Sequence, residues 1–219
     1  MKPRFEKQFT VYAVARRSRW ETDATKGHSL EEESRDIMAV LQAIGDPVSR
    51  LGHSYGAQVA LAAAATVPDR VRTLVLYEPP WPCAITDEAL ARLAALARAG
   101  DGGGFAVTFF RDTLRVPRDE VDRLRTTAAW APILADAEVS LGDLRALYRY
   151  DFTAERFPDL RVPVQLQFGT ESPRDLYVTD ALAVVLPALR GEAFPGQAHE
   201  GMTTAPTMYA DAVARVLLA

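Results

Sequence analysis

Cysteine is almost absent from this chain: Cys83 is the only one in 219 residues, so no internal disulfide can form and nothing calls for an oxidising compartment. Histidine is scarce as well, with His28, His53 and His199 forming no close pair along the chain. A paired-cysteine site and a glycine-rich phosphate loop are also missing, so neither a metal nor a nucleotide cofactor is expected. No stretch reaches the roughly 18 apolar residues of a membrane span, and the opening MKPRFEKQF lacks the apolar core of a secretion signal. The expected setting is therefore the cytoplasm, away from membranes. Positive charge is not in excess: the net charge of -4 argues against nucleic acid, and the local cluster Arg16, Arg17 and Arg19 reads as a solvated loop. What the chain does have is 48% hydrophobic and 25% charged residues, the balance of a globular protein, in a length suited to one α/β domain with a small insertion.

Strand-like and helix-like patterns alternate at both ends. Phe9 to Val14 (FTVYAV) is β-branched and aromatic and reads as a buried strand, followed by a polar loop to Gly27. Ser29 with Glu32 and Glu33 approximates a capping box, and Ile37, Val40, Leu41 and Ile44 recur at helical spacing before Gly45, which predicts a helix over 30–44. Val48 to Leu51 is a short apolar strand, Ala57 to Val67 has the composition of a buried helix, and Thr73 to Tyr77 is a second strand. Residues 81–150 then read as helices only, with candidates at 87–99, 105–114, 118–125 and 141–150. Strand returns at 162–168 and 191–194, with helices at 180–189 and 205–218. The alternation implies a mostly parallel sheet with helices on both faces. Its core is 1–80 plus 151–219, and 81–150 is an inserted helical lid.

Between the strand ending at Leu51 and the helix that follows lies Gly52, His53, Ser54, Tyr55, Gly56, a G-x-S-x-G turn. Two glycines leave room for a sharp bend in which Ser54 presents its hydroxyl above the sheet. A hydroxyl attacks only when a base takes its proton, so a histidine must arrive from elsewhere. His53 sits in the bend and is expected to point away, and His28 lies in an early loop. His199, in PGQAHEG after the last strand signal, falls at the carboxyl edge of the sheet and is the candidate base. The N–H of Tyr55, following the serine, is a candidate oxyanion donor.

The order strand, GHSYG, buried helix, TLVLYEPP, helical insertion, VPVQLQFG and GQAHEG resembles the α/β-hydrolase fold family over nearly the whole chain, and within it small bacterial esterase-like serine hydrolases. That resemblance implies an acid completing a triad. Relatives usually carry it a few residues beyond the glycine ending the penultimate strand, where this chain has Gly169, Thr170, Glu171, Ser172 and Pro173. Ser172 stands where an aspartate is expected, with Glu171 and Asp175 as displaced alternatives. Some relatives, certain haloalkane dehalogenases among them, instead place a glutamate at the end of the strand after the nucleophile, which is Glu78 here. It follows Ser54 by 78 − 54 = 24 residues, enough for one helix and one strand back to the same edge. Halide chemistry is not implied, because those enzymes need a carboxylate nucleophile.

Relatives also begin with further strands and a His-Gly loop giving half of the oxyanion hole. No counterpart precedes Phe9, so the chain resembles an N-terminally truncated member. Loss of one such donor removes about 3 to 4 kcal/mol of transition-state stabilisation, and weak activity is expected. Trp20 is placed to fill the vacated space. An open sheet edge left by truncation predicts a homodimer, measurable by light scattering at micromolar concentration. The resemblance thus implies hydrolysis of small or medium carboxylic esters through an acyl-enzyme, without a cofactor, by Ser54, His199 and Glu78 with Tyr55 as oxyanion donor. The alternative is a catalytically weak or inactive binding protein of the same fold.

Overall fold

The computed structural model describes residues 2–17, Arg19, residues 29–157 and residues 159–219; the expectations placed on Trp20 and His28 lie outside the described residues. The first described elements are the single turn α1 (Lys2–Phe5) and α2 (Leu30–Ile44). In α2 the capping box is realised: the Ser29 hydroxyl accepts from Glu32 N–H at 3.2 Å, and Glu32 Oε2 accepts from Ser29 N–H at 3.1 Å. Leu30, Ile37 and Leu41 form its buried face, each such burial contributing about 1.5 to 3 kcal/mol.

Four strands follow in one parallel sheet of order β1-β2-β3-β4: β1 (Val48–His53), β2 (Val71–Tyr77), β3 (Val164–Gly169) and β4 (Leu189–Phe194). Between β1 and β2 runs α3 (Tyr55–Thr66), buried almost all round on Ala57, Val59, Ala60 and Leu61, which agrees with its alanine-rich composition. Between β2 and β3 lie helices alone: α4 (Asp87–Arg98), α5 (Gly102–Val107) running into a π-helical stretch (Thr108–Thr113), α6 (Arg118–Arg125), α7 (Trp130–Ala135) and α8 (Ala137–Tyr148). After β3 come α9 (Thr179–Val185), the single turn α10 (Gly201–Thr204) and α11 (Pro206–Leu217). One contiguous apolar cluster joins Leu61 of α3 and Leu74 of β2 to Leu93, Phe105 and Leu144 of the helices between β2 and β3, so the sheet and those helices share a core.

Three expectations are corrected. The strand expected over Phe9 to Val14 does not form, and among the described residues nothing pairs with the outer edge of β1. Tyr12 is 58% exposed, and only Val14 packs against the core. Strand propensity counts for little without a partner strand beside it. The segment instead delivers Arg16 to a polar cluster: its guanidinium lies 2.9 Å from Glu33 Oε2 and 2.7 Å from Asp143 Oδ2, joining α2 to α8. Arg19 reaches Asp136 and Asp143, and Arg17 reaches Asp36, so these arginines are ion-paired and not a freely solvated loop. Burial works against the Arg16 charge, yet Asp143 and Glu33 outweigh it and raise the guanidinium pKa. The helix expected over 180–189 ends at Val185, because Pro187 disfavours helical backbone at the residue before it. Among the described residues, no helix is long and apolar enough to cross a membrane.

Candidate active site

Strand register explains how distant residues meet. His53 of β1 lies opposite Tyr77 of β2, so the next residues, Ser54 and Glu78, leave neighbouring strands together at the carboxyl edge. Ser54 N–H donates to the Tyr77 carbonyl at 2.9 Å, and Glu78 N–H donates to the Gln167 carbonyl at 3.0 Å. Both residues then bend through positive φ, 53° at Ser54 and 47° at Glu78. Such backbone is strained for an L residue and persists only where surrounding packing enforces it. The packing at Ser54 is visible: a Cβ on Gly52 would stand 2.6 Å from the Gly56 carbonyl oxygen and 2.7 Å from Ala57 Cα, so α3 closes onto bare backbone. At Gly56 an added Cβ would meet nothing within 4 Å, so this second glycine is not sterically required.

His199 is held from every side. Its Nδ1 lies 2.8 Å from Glu78 Oε2, and Glu78 Oε1 accepts the Gly169 N–H at 2.8 Å. The Tyr177 hydroxyl lies 3.0 Å from the same Nδ1, its ring stacked on the imidazole at a centroid distance of 5.4 Å. The loop around it is pinned through its backbone. Tyr77 donates its hydroxyl to the Ala198 carbonyl at 2.6 Å, and Glu120, from α6, accepts the N–H groups of Ala198 at 2.5 Å and Glu200 at 2.8 Å. At Gly169 an added Cβ would stand 2.1 Å from the Gln197 carbonyl oxygen, so the loop rests directly on the end of β3. Sequence reasoning missed Tyr177 and Glu120. Neither carries a local motif, and Glu120 reads in sequence as one more acid in a helical first turn.

Burial opposes protonation of His199, but the Glu78 hydrogen bond and charge, with Glu200 and Glu120 behind them, raise its pKa above the ordinary 6.5. His53 moves the other way: burial and the neighbouring His199 lower it to about 3, so its ring is neutral. Burial pushes Glu200 up to about 7 against the opposing pull of His199.

Ser54, Tyr55, His53, His199 and Glu200 open on one cavity of about 580 Å³. Its apolar wall comes largely from the segment between β2 and β3, where Trp81, Phe105, Phe109 and Phe110 line it. Trp130 packs beneath Arg125, and Tyr148 is 41% exposed and donates to Asp87. His53, expected to point away, faces this space, and its ring centroid lies 4.6 Å from that of His199, a histidine pair that sequence spacing hides. Glu171 and Asp175 are exposed; the first accepts from the Thr170 hydroxyl and the second pairs with Arg115. The hydrogen-bonded acid beside His199 is Glu78.

A parallel sheet that bends a positive-φ serine into a buried helix, and that sets a histidine–carboxylate pair on the adjoining strand end, defines a hydrolase-type α/β class. The chain belongs to the α/β-hydrolase family, whose sequence pattern it matches over residues 2–216. It is similar to an alpha/beta hydrolase from Sphaerobacter thermophilus DSM 20745, at 26% identity and a TM-score of 0.72, covering 91% of this chain and 79% of that one. The enol-lactonase from Burkholderia xenovorans LB400 shares the fold at 18% identity and a TM-score of 0.74, covering 93% and 79%. A thermophilic esterase does so at 18% identity and a TM-score of 0.70, covering 91% and 77%. No curated protein matches the chain in sequence.

Proposed function

We propose that this α/β-hydrolase cleaves small or medium carboxylic esters with Ser54 as nucleophile, His199 as base and Glu78 as the acid that orients the base. The observation that carries the reading is the buried 2.8 Å contact between His199 Nδ1 and Glu78 Oε2. A carboxylate only accepts, so Nδ1 holds the hydrogen and the lone pair of Nε2 is left to take a proton. His199 removes the Ser54 hydroxyl proton as Oγ bonds to the acyl carbon. The carbonyl π electrons move onto oxygen, where the Tyr55 N–H at the start of α3 stabilises them. Collapse expels the alcohol, which takes the proton from the imidazolium, and water repeats the sequence to release the acid and restore Ser54. Esterase and lactonase activity in the names of structural neighbours supports acyl transfer to water. The aromatic wall favours an apolar acyl group, and the helical insertion acts as the lid that shapes it.

A second reading, a binding protein that keeps the fold, is favoured by one detail: among the described residues, Ser54 Oγ makes no hydrogen bond, to His199 or otherwise. Catalytic contacts often tighten only when substrate binds, so the detail does not exclude chemistry. Treatment with a fluorophosphonate probe separates the two. Labelling of the wild type that disappears in Ser54→Ala is the expected result; an unlabelled wild type would end the enzyme reading. Among the described residues no strand pairs with the outer edge of β1, which supports the homodimer expected from the sequence, with light scattering as its measurement.

A further inference from the structure

The proposed ester chemistry leaves two groups in the cavity without a task, His53 and Glu200. His53 Nε2 lies 2.8 Å from the His199 carbonyl oxygen. That oxygen can only accept, so Nε2 carries the hydrogen and Nδ1 keeps its lone pair. The opposite tautomer holds at His199, where Glu78 takes the Nδ1 hydrogen and leaves the Nε2 lone pair free. One ligating atom from each ring and one Glu200 carboxylate oxygen lie within 4.8 Å of one another. Imidazoles that bind metals usually give their second N–H to a carboxylate or a backbone carbonyl. Both such partners are already in place here, Glu78 behind one ring and the His199 carbonyl behind the other.

We infer that His53, His199 and Glu200 form a binding site for a divalent transition metal ion, best matched by Zn2+, and that occupancy inhibits the hydrolase. Two imidazoles and one carboxylate with an open fourth position suit zinc, and all three side chains line the cavity. Tetrahedral bonds of about 2.0 Å set ligand atoms about 3.3 Å apart, so the three side chains close inward by at most about 1.5 Å. The buried carboxylates of Glu78 and Glu120, both beside this loop, add attraction for a cation. An ion there occupies the His199 Nε2 lone pair that would receive the Ser54 proton. The inhibition rests on the serine-hydrolase reading, whereas the binding stands without it.

The test is calorimetric titration of the chelator-treated, full-length protein with Zn2+, repeated with Co2+ followed by visible absorption. One equivalent is expected to bind, in wild type and in Ser54→Ala alike, because the serine is not a ligand. His53→Ala and Glu200→Gln are each expected to weaken binding by at least about 100-fold. Zn2+ should lower ester turnover of the wild type in step with occupancy, EDTA should restore it, and the inhibition constant should rise in His53→Ala by the factor seen in the titration. Lack of stoichiometric binding at free Zn2+ up to about 0.1 mM would overturn the site. So would affinity unchanged in both ligand variants, which would place the ion elsewhere. Binding that persists in a protein inert to fluorophosphonate would keep the metal site and end the ester reading; the reverse pattern would do the opposite.

Discussion

Ser54→Ala should lower kcat/KM for p-nitrophenyl butyrate by about 10⁴ to 10⁶-fold, the loss seen when a hydrolase nucleophile is removed and only binding and oxyanion contacts remain. The substitution should leave the fold intact, since Ser54 is the residue preceding α3 and its side chain makes no capping bond to that helix. Its backbone, at φ 53°, is as demanding for alanine as for serine. The measurement is initial ester hydrolysis, with circular dichroism and thermal unfolding of both proteins as the control for folding. Turnover within tenfold of wild type in a folded variant would remove Ser54 from the chemistry.

Glu78→Gln is expected to lower kcat by about 10³ to 10⁴-fold, for two separate reasons. Glu78 accepts two N–H groups, from Gly169 on Oε1 and from His199 on Oε2. An amide has one accepting oxygen, so either Gly169 N–H loses its buried partner or the amide NH2 faces His199 and drives it into the wrong tautomer. The negative charge that stabilises the imidazolium is lost as well. That charge also sets the pH profile. The working form of His199 is neutral, so activity is full above the His199 pKa and falls as pH drops through it. Because the folded-state pKa is raised, first against burial and then by the Glu78 bond and charge, the acid limb of kcat/KM should have its midpoint above 6.5. In Glu78→Gln that midpoint should move down. Matching amides at Glu171 and Asp175, both exposed and distant in their pairings, should leave rate and midpoint near wild type. A loss confined to Glu171→Gln would transfer the acid's role to that residue.

The local features of the site were legible because local physics writes them. The capping box at Ser29, the apolar run of β2 and the bend at Gly52 each depend on residues within a few positions, so their patterns survive in one dimension. The serine bend needs a bare backbone at Gly52, and a glycine is what the chain has there. The same local logic failed at residues 9–14, where a strand-like run found no strand to pair with. It failed again for the arginines, whose charge looks solvated until Glu33 and Asp143 converge on Arg16.

By itself, then, the sequence determined an alternating α/β chain with a serine on a strand-to-helix bend and a histidine in the last loop before the closing helices. Only the tertiary structure decided which acid meets that histidine: Glu78 and His199 are 121 residues apart, and their contact depends on the register of β1, β2 and β3. The same holds for Tyr177, Glu120 and the pairing of His53 with His199. Short-range steric and capping preferences act between neighbours in the chain, whereas a buried hydrogen bond forms between whichever groups the packed sheet and helices bring together.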